Sequence, residues 1–192
     1  MQLANGLTVL RILLAFVLLA LLFLSGAVVK IAAFFVFLGA CTTDYWDGRI
    51  ARSRGQITVF GKLMDPIADK LLTLTAFIAF TQKGIVPAWM VVLVVARDFL
   101  ITGIRLAVPQ KDSVAEGRDL HVARISGKNK TVLQFVFILF VLGYLILKET
   151  SLWGADWESG WLAVIRGAMA IVVAATLWSG ARYLVKNKRL FE

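Results

Sequence analysis

Asp44 and Asp47 stand three residues apart, and Asp65 and Asp69 four apart, in a chain that is 59% hydrophobic. Carboxylates at i, i+3 and i, i+4 share a helix face. Two such pairs on neighbouring helices can converge on one point. Four negative charges beside a bilayer need neutralising, and a pair of divalent cations does this most simply. Oxygen donors without His or Cys suit Mg²⁺ or Mn²⁺ and not zinc. Two such ions about 4 Å apart suit displacement at phosphorus. A fourth carboxylate can double as general base for an acceptor hydroxyl. A cation or proton transporter with buried carboxylates is the other chemistry these residues allow.

The elements that must hold the aspartates are membrane helices. The chain has 192 residues and a mean hydropathy of +0.80, which points to an integral membrane protein. Charge-free runs cover 12–29, 31–43, 71–82, 84–96, 131–147 and 167–181. A bilayer core of roughly 30 Å needs about 20 helical residues, so only the first and fifth runs come near that length. The others reach it by taking in charged residues at one end, and those charges then face a polar cavity rather than lipid. The expectation is an all-α polytopic protein of one domain, 1–192. Its six spans fall at about 9–28, 30–53, 61–82, 85–106, 129–148 and 160–184, behind a short interfacial segment at 2–8. The basic stretch 107–127 is a cytoplasmic connection, open to being helical in part.

Of 21 Lys and Arg residues, only Lys30, Lys83, Lys148 and Arg166 lie on one side of such a six-span arrangement. The rest, Arg11 among them, mark the cytoplasmic side, which places both termini and all four aspartates there. The net charge of +9 suits an anionic leaflet and anionic ligands. This hydropathy excludes a soluble nucleic-acid binder. An apolar stretch at 12–24 followed by Ser25-Gly26-Ala27 has the form of a secretory signal, but an uncleaved first helix is the expectation. The single Cys41 excludes an intrachain disulfide, and the single His121 falls in the basic connection. Trp153, Trp157 and Trp161 read as an interfacial aromatic belt, and Arg166 as a snorkelling charge.

Around the aspartates the pattern is D-x2-D-G-x2-A-R-x8-G-x3-D-x3-D, from Asp44 to Asp69. Gly48 and Ala51 share a stripe with Asp44 and Asp47, and Gly61 shares one with Asp65 and Asp69. Each carboxylate pair thus sits beside residues with little or no side chain, which lets a bulky ligand approach. This stretch resembles, without a departure, the signature of the CDP-alcohol phosphotransferase family of phospholipid-synthesising enzymes. The resemblance implies a six-helix membrane fold, a homodimer, and an active site open to the cytoplasm. It also implies two divalent ions and transfer of a phosphatidyl-type group from a CDP-linked donor with release of CMP. By motif position, Asp44, Asp47 and Asp65 would hold metal. Asp69 would touch the second metal and take the acceptor's proton. Asp44, Asp47, Gly48, Ala51, Arg52, Gly61 and Asp65 would line the CDP site, with the Arg52 guanidinium forked onto a diphosphate oxygen.

The acceptor is legible further along. Arg97 and Arg105 lie two helical turns apart on the fourth span, and Lys128 and Lys130 open the fifth. Together they form a basic pocket suited to a dianionic phosphate, which serine or choline would not need. The plain alternative is that these charges follow the positive-inside rule. The N-terminal Asn5, Thr8 and Arg11, the Ala96-Arg97-Asp98 triplet with Arg105, and Gly127-Lys128-x-Lys130-Thr131 with Gln134 resemble the bacterial phosphatidylglycerophosphate synthases. Ala4 stands where that subgroup commonly has proline, and Asp98 where it commonly has glutamate. This resemblance implies CDP-diacylglycerol and sn-glycerol 3-phosphate as substrates in a bacterial inner membrane. Phosphatidylglycerol (a cardiolipin synthase) or inositol phosphate is the alternative acceptor.

Overall fold

The computed structural model describes residues 3–54, 59–107, 119–150 and 157–186, without the side chains of 3–5, 7, 44–54, 59–66, 69, 105–107, 119–131 and 186. Six helices make up the fold there, in the order α1 (Leu3–Phe23), α2 (Ala27–Arg54), α3 (Val59–Gln82), α4 (Ala88–Ala107), α5 (Asp119–Lys148) and α6 (Glu158–Lys186). The described residues contain no strand.

α1 packs on both α2 and α3, while α5 bridges α2 and α6, and α6 packs on α4. The seam around α1 is built from small and large residues in alternation. Ala15, Leu18 and Leu22 share one buried cluster with Ala33, Phe37 and Ala40 of α2 and Leu72, Ala76 and Phe80 of α3. Alanines let the helix backbones approach closely, as interfaces between apolar helices require. The seam continues through Phe137, Ile138, Val141 and Leu142 of α5 to Ile165, Met169 and Val172 of α6.

The outward faces are apolar too. Phe16, Phe35, Val92, Val136, Ile171 and Trp178 are all more than half exposed. So much exposed apolar surface needs lipid or another protein to cover it. Among the described residues, one helix, Glu158–Val185, is long and apolar enough by itself to cross a bilayer, with a mean hydropathy of 1.8. The apolar parts of the other helices are shorter, such as Ala27–Thr43 and Lys70–Gln82, because each carries its polar residues toward one end.

Polar groups secure the turns at one rim. Lys30 is fully buried and donates to the Leu22 carbonyl at 2.8 Å and also to that of Leu24. It thereby caps carbonyls that α1 leaves without intrahelical partners. Gly26 N donates to Glu149 Oε2 at 3.0 Å, and Lys148 pairs with Glu158. α3 ends on Gly84 at φ +69°. Ile85 N reaches Phe80 O and Gly84 N reaches Thr81 O, the paired bonds of a glycine-terminated helix. Pro87 then starts α4 three residues later than the expected 85. Arg166 donates to Gly84 O at 3.2 Å, so this charge has a protein partner rather than only a snorkelling role.

Two further boundaries differ from expectation. α1 is continuous from Leu3, so residues 3–8 are its first turns and not a separate interfacial segment. α5 begins at Asp119, ten residues before the expected span, so Lys128 and Lys130 lie inside that helix rather than at its opening. The sequence from 119 sets Leu120, Val122, Ala123 and Ile125 among polar residues, too few apolar positions to mark a membrane span. Trp153 and the connection 108–118 lie outside the described residues, whereas His121 and Arg124 fall on α5.

Candidate active site

Asp44, Asp47, Gly48, Ala51 and Arg52 all fall on α2, and Gly61, Asp65 and Asp69 on α3. The buried stripe of α2 is Ala33, Phe37 and Ala40. Steps of three and four along a helix keep to one face, and from Ala40 they reach Asp44, Asp47 and Ala51. The buried stripe of α3 is Leu72, Ala76 and Ala79. Followed back, it reaches Asp69, Asp65 and Gly61. Both carboxylate pairs therefore continue the stripes by which their helices pack, at the ends away from the Lys30 rim. Their side chains lie outside the described residues, as do those of Arg52, Arg105, Lys128 and Lys130. Among the described side chains there is no cluster of three or more metal-ligating groups.

Next to this stretch the structure builds a polar junction of four helices. Arg97 on α4 is buried. Its Nη1 lies 3.0 Å from Asp98 Oδ1, and its Nη2 donates to Ser179 Oγ on α6 at 3.1 Å. The other carboxylate oxygen of Asp98 accepts from Gln134 Nε2 on α5 at 2.9 Å. Lys70 on α3 donates to the Asp98 carbonyl at 2.5 Å and lies over the Phe99 ring, 4.8 Å from its centre. A buried guanidinium is tolerated when an acid and further acceptors surround it, and this junction supplies them. Room for it comes from Gly180, where a Cβ would meet Arg97 Nε at 3.0 Å.

Of the expected acceptor-pocket residues, Arg97 is thus held within the protein through two of its nitrogens. Lys70 and Ser179 belong to no motif read in the sequence, whereas Asp98 and Gln134 belong to the stretches that resemble the phosphatidylglycerophosphate synthases, with no role of their own assigned there. Their signal was faint: a lysine directly after the last motif aspartate, and a charged pair inside an apolar helix.

A CDP-alcohol phosphatidyltransferase family model matches residues 1–178. This chain belongs to that family. It is 40% identical over 145 residues to a probable phosphatidylglycerophosphate synthase of Mycobacterium tuberculosis, covering 73% of this chain. That match spans 66% of the mycobacterial protein, just under two thirds of its length. A CDP-diacylglycerol–glycerol-3-phosphate 3-phosphatidyltransferase of Bacillus subtilis is 35% identical over 164 residues, 85% of this chain and 77% of that protein. Its namesake in Rickettsia typhi is 36% identical over 177 residues, 86% of this chain and 93% of that protein. The family match takes in α1 to α5 and most of α6. It thus covers the helices of both the aspartate stretch and the polar junction.

Proposed function

We propose that this protein transfers the phosphatidyl group of CDP-diacylglycerol to sn-glycerol 3-phosphate, giving phosphatidylglycerol phosphate and CMP. It is a phospholipid-synthesising transferase, and its relatives carry names for this same reaction. The observation that carries the site assignment is the register of the two aspartate pairs with the buried stripes of α2 and α3, helices that both pack on α1.

The donor set suits hard divalent cations: four carboxylates, supplied by two neighbouring helices, with no imidazole among them. Asp44, Asp47, Asp65 and Asp69 would hold two Mg²⁺ or Mn²⁺, which when bound polarise the diphosphate and neutralise the departing CMP. Gly48, Ala51 and Gly61 leave room for the nucleotide. Arg52 forks onto the diphosphate. Asp69 takes the proton of the acceptor's 1-hydroxyl. The hydroxyl oxygen forms the new bond to phosphorus, and the bond from that phosphorus to CMP breaks. Arg105, Lys128 and Lys130 hold the acceptor's phosphate. Arg97, held by Asp98 and Ser179, is the fourth member of that basic set.

The six helices span a bacterial inner membrane, with both termini and the site on the cytoplasmic side and a second copy as partner. What supports this is the apolar outward faces and the crowding of Lys and Arg at the aspartate end. The lipid tails leave sideways into the bilayer, since a charged pocket cannot house them.

CMP release by purified protein in detergent, with CDP-diacylglycerol and Mg²⁺ or Mn²⁺, tests the reading. Release only with glycerol 3-phosphate, abolished by Asp69→Asn, is expected. Release with phosphatidylglycerol or inositol phosphate instead would keep the chemistry and replace the acceptor. No release with any alcohol, together with ion flux in liposomes, would favour a transporter.

A further inference from the structure

Arg11 heads the largest fully buried side chains of the described structure, at 1% exposure. An arginine near a helix end in a membrane protein ordinarily snorkels to water or headgroups. This one cannot, because it sits on the inward stripe of α1 with Thr8, Ala15, Leu18 and Leu22, all buried. A guanidinium so enclosed is costly unless an acid compensates it. α1 itself contains no acidic residue. It packs on α2 and α3, whose only acids are Asp44 and Asp47 on the one and Asp65 and Asp69 on the other. Asp98 of α4 has both carboxylate oxygens engaged, by Arg97 and Gln134. Glu149 and Glu158 belong to the opposite rim.

The levels along the helices agree. Lys30 bonds to the end of α1 and lies within electrostatic range of Lys83, so the rim ends of α1, α2 and α3 are close in height. At about 1.5 Å per residue, Arg11 stands roughly 18 Å below its rim end, Asp69 roughly 20 Å and Asp44 roughly 26 Å. Side chains lean toward the N-terminus of their own helix, which for Arg11 is the direction of Asp44.

We propose that Arg11 is a positioning residue of the active site, the fixed counter-charge of the aspartate set supplied from α1. It pairs with carboxylates of that set, Asp69 at its own level and Asp44 and Asp65 roughly 8 Å further along, in the protein without metal, and so keeps the cation sites preformed. Its role as a metal-site organiser rests on the two-cation reading above, while the pairing of charges does not.

A double-mutant cycle on melting temperature in detergent and EDTA tests the pairing. Arg11→Gln is combined in turn with Asp44→Asn, Asp47→Asn, Asp65→Asn and Asp69→Asn. Arg11→Gln alone is expected to lower the melting temperature by about 5 °C or more. In at least one aspartate variant that loss should fall by half or more. An undiminished loss in all four backgrounds overturns the proposal. Should Arg11→Gln not accumulate, Arg11→Lys carries the same cycle, because an ammonium lacks the planar fork. Mn²⁺ binding to the wild-type protein, read by electron paramagnetic resonance without substrate, is a separate measurement. Failure there overturns the two-cation reading, and the cycle alone decides the charge pairing.

Discussion

Lys70 Nζ lies 2.5 Å from the backbone oxygen of Asp98, so the residue that follows Asp69 is tied to α4. One helical position thus separates the proposed general base from a fixed anchor. The anchor is anchored in turn, since the Asp98 side chain is gripped by Arg97 and Gln134. Positioning of a reacting group to within a fraction of an ångström is worth large factors in rate, which gives this relationship its catalytic weight.

Replacing Lys70 by Met should keep the apolar stem against Phe99 and delete the tie. We expect kcat to fall about tenfold, with a small loss of stability. Steady-state CMP release at saturating substrates measures it. An unchanged kcat would show that the tie does not bear on Asp69.

Asp98→Ala should be far more damaging to stability. It strips the buried Arg97 of its acidic neighbour and Gln134 of its acceptor. A loss of roughly 3 kcal/mol is expected, measured by thermal unfolding in detergent. Asp98→Asn retains an acceptor for Gln134 and should lose distinctly less.

Gly180→Ala would place a methyl 3.0 Å from Arg97 Nε, while Arg97 is held from two other directions. Overpacking of this kind costs about 1–3 kcal/mol. Ser179→Ala, which removes one acceptor, should cost about 1 kcal/mol. The two measured together separate crowding from the lost bond.

Lys30→Met should leave the α1 carbonyls at Leu22 and Leu24 without their donor. The expected cost is about 1–3 kcal/mol, with CMP release per folded molecule unchanged, because the proposed site lies at the other end of the bundle. A selective fall in kcat would contradict that separation.

The helix count and order could be read from charge-free runs, because apolar stretches in this chain alternate with charges that must stop near a rim. Boundaries were less legible where local chemistry and helical state diverge. Residues 119–128 mix charged and polar residues with Leu120, Val122, Ala123 and Ile125, too few to mark a span, yet they open α5. Proline at 87 delays α4. The aspartate pairs were visible because spacing alone places them on faces. The partners of Arg97 were not, since Ser179 lies 82 residues away in sequence and nothing local announces that α4 and α6 touch. Arg11 reads in the sequence as a cytoplasmic charge and as part of an N-terminal motif with no role attached, because composition reports how many cations a segment has and not which face they take.

Lys30 makes its bonds to Leu22 and Leu24 entirely within the first two helices. The α1–α2 hairpin therefore brings its own donor to its tip. In the six-span arrangement proposed above, such a tip would cross the bilayer with fewer bare carbonyls than an uncapped one, before α3 has been synthesised. On that arrangement, biogenesis would start from a self-sufficient first hairpin, onto which the later helices assemble.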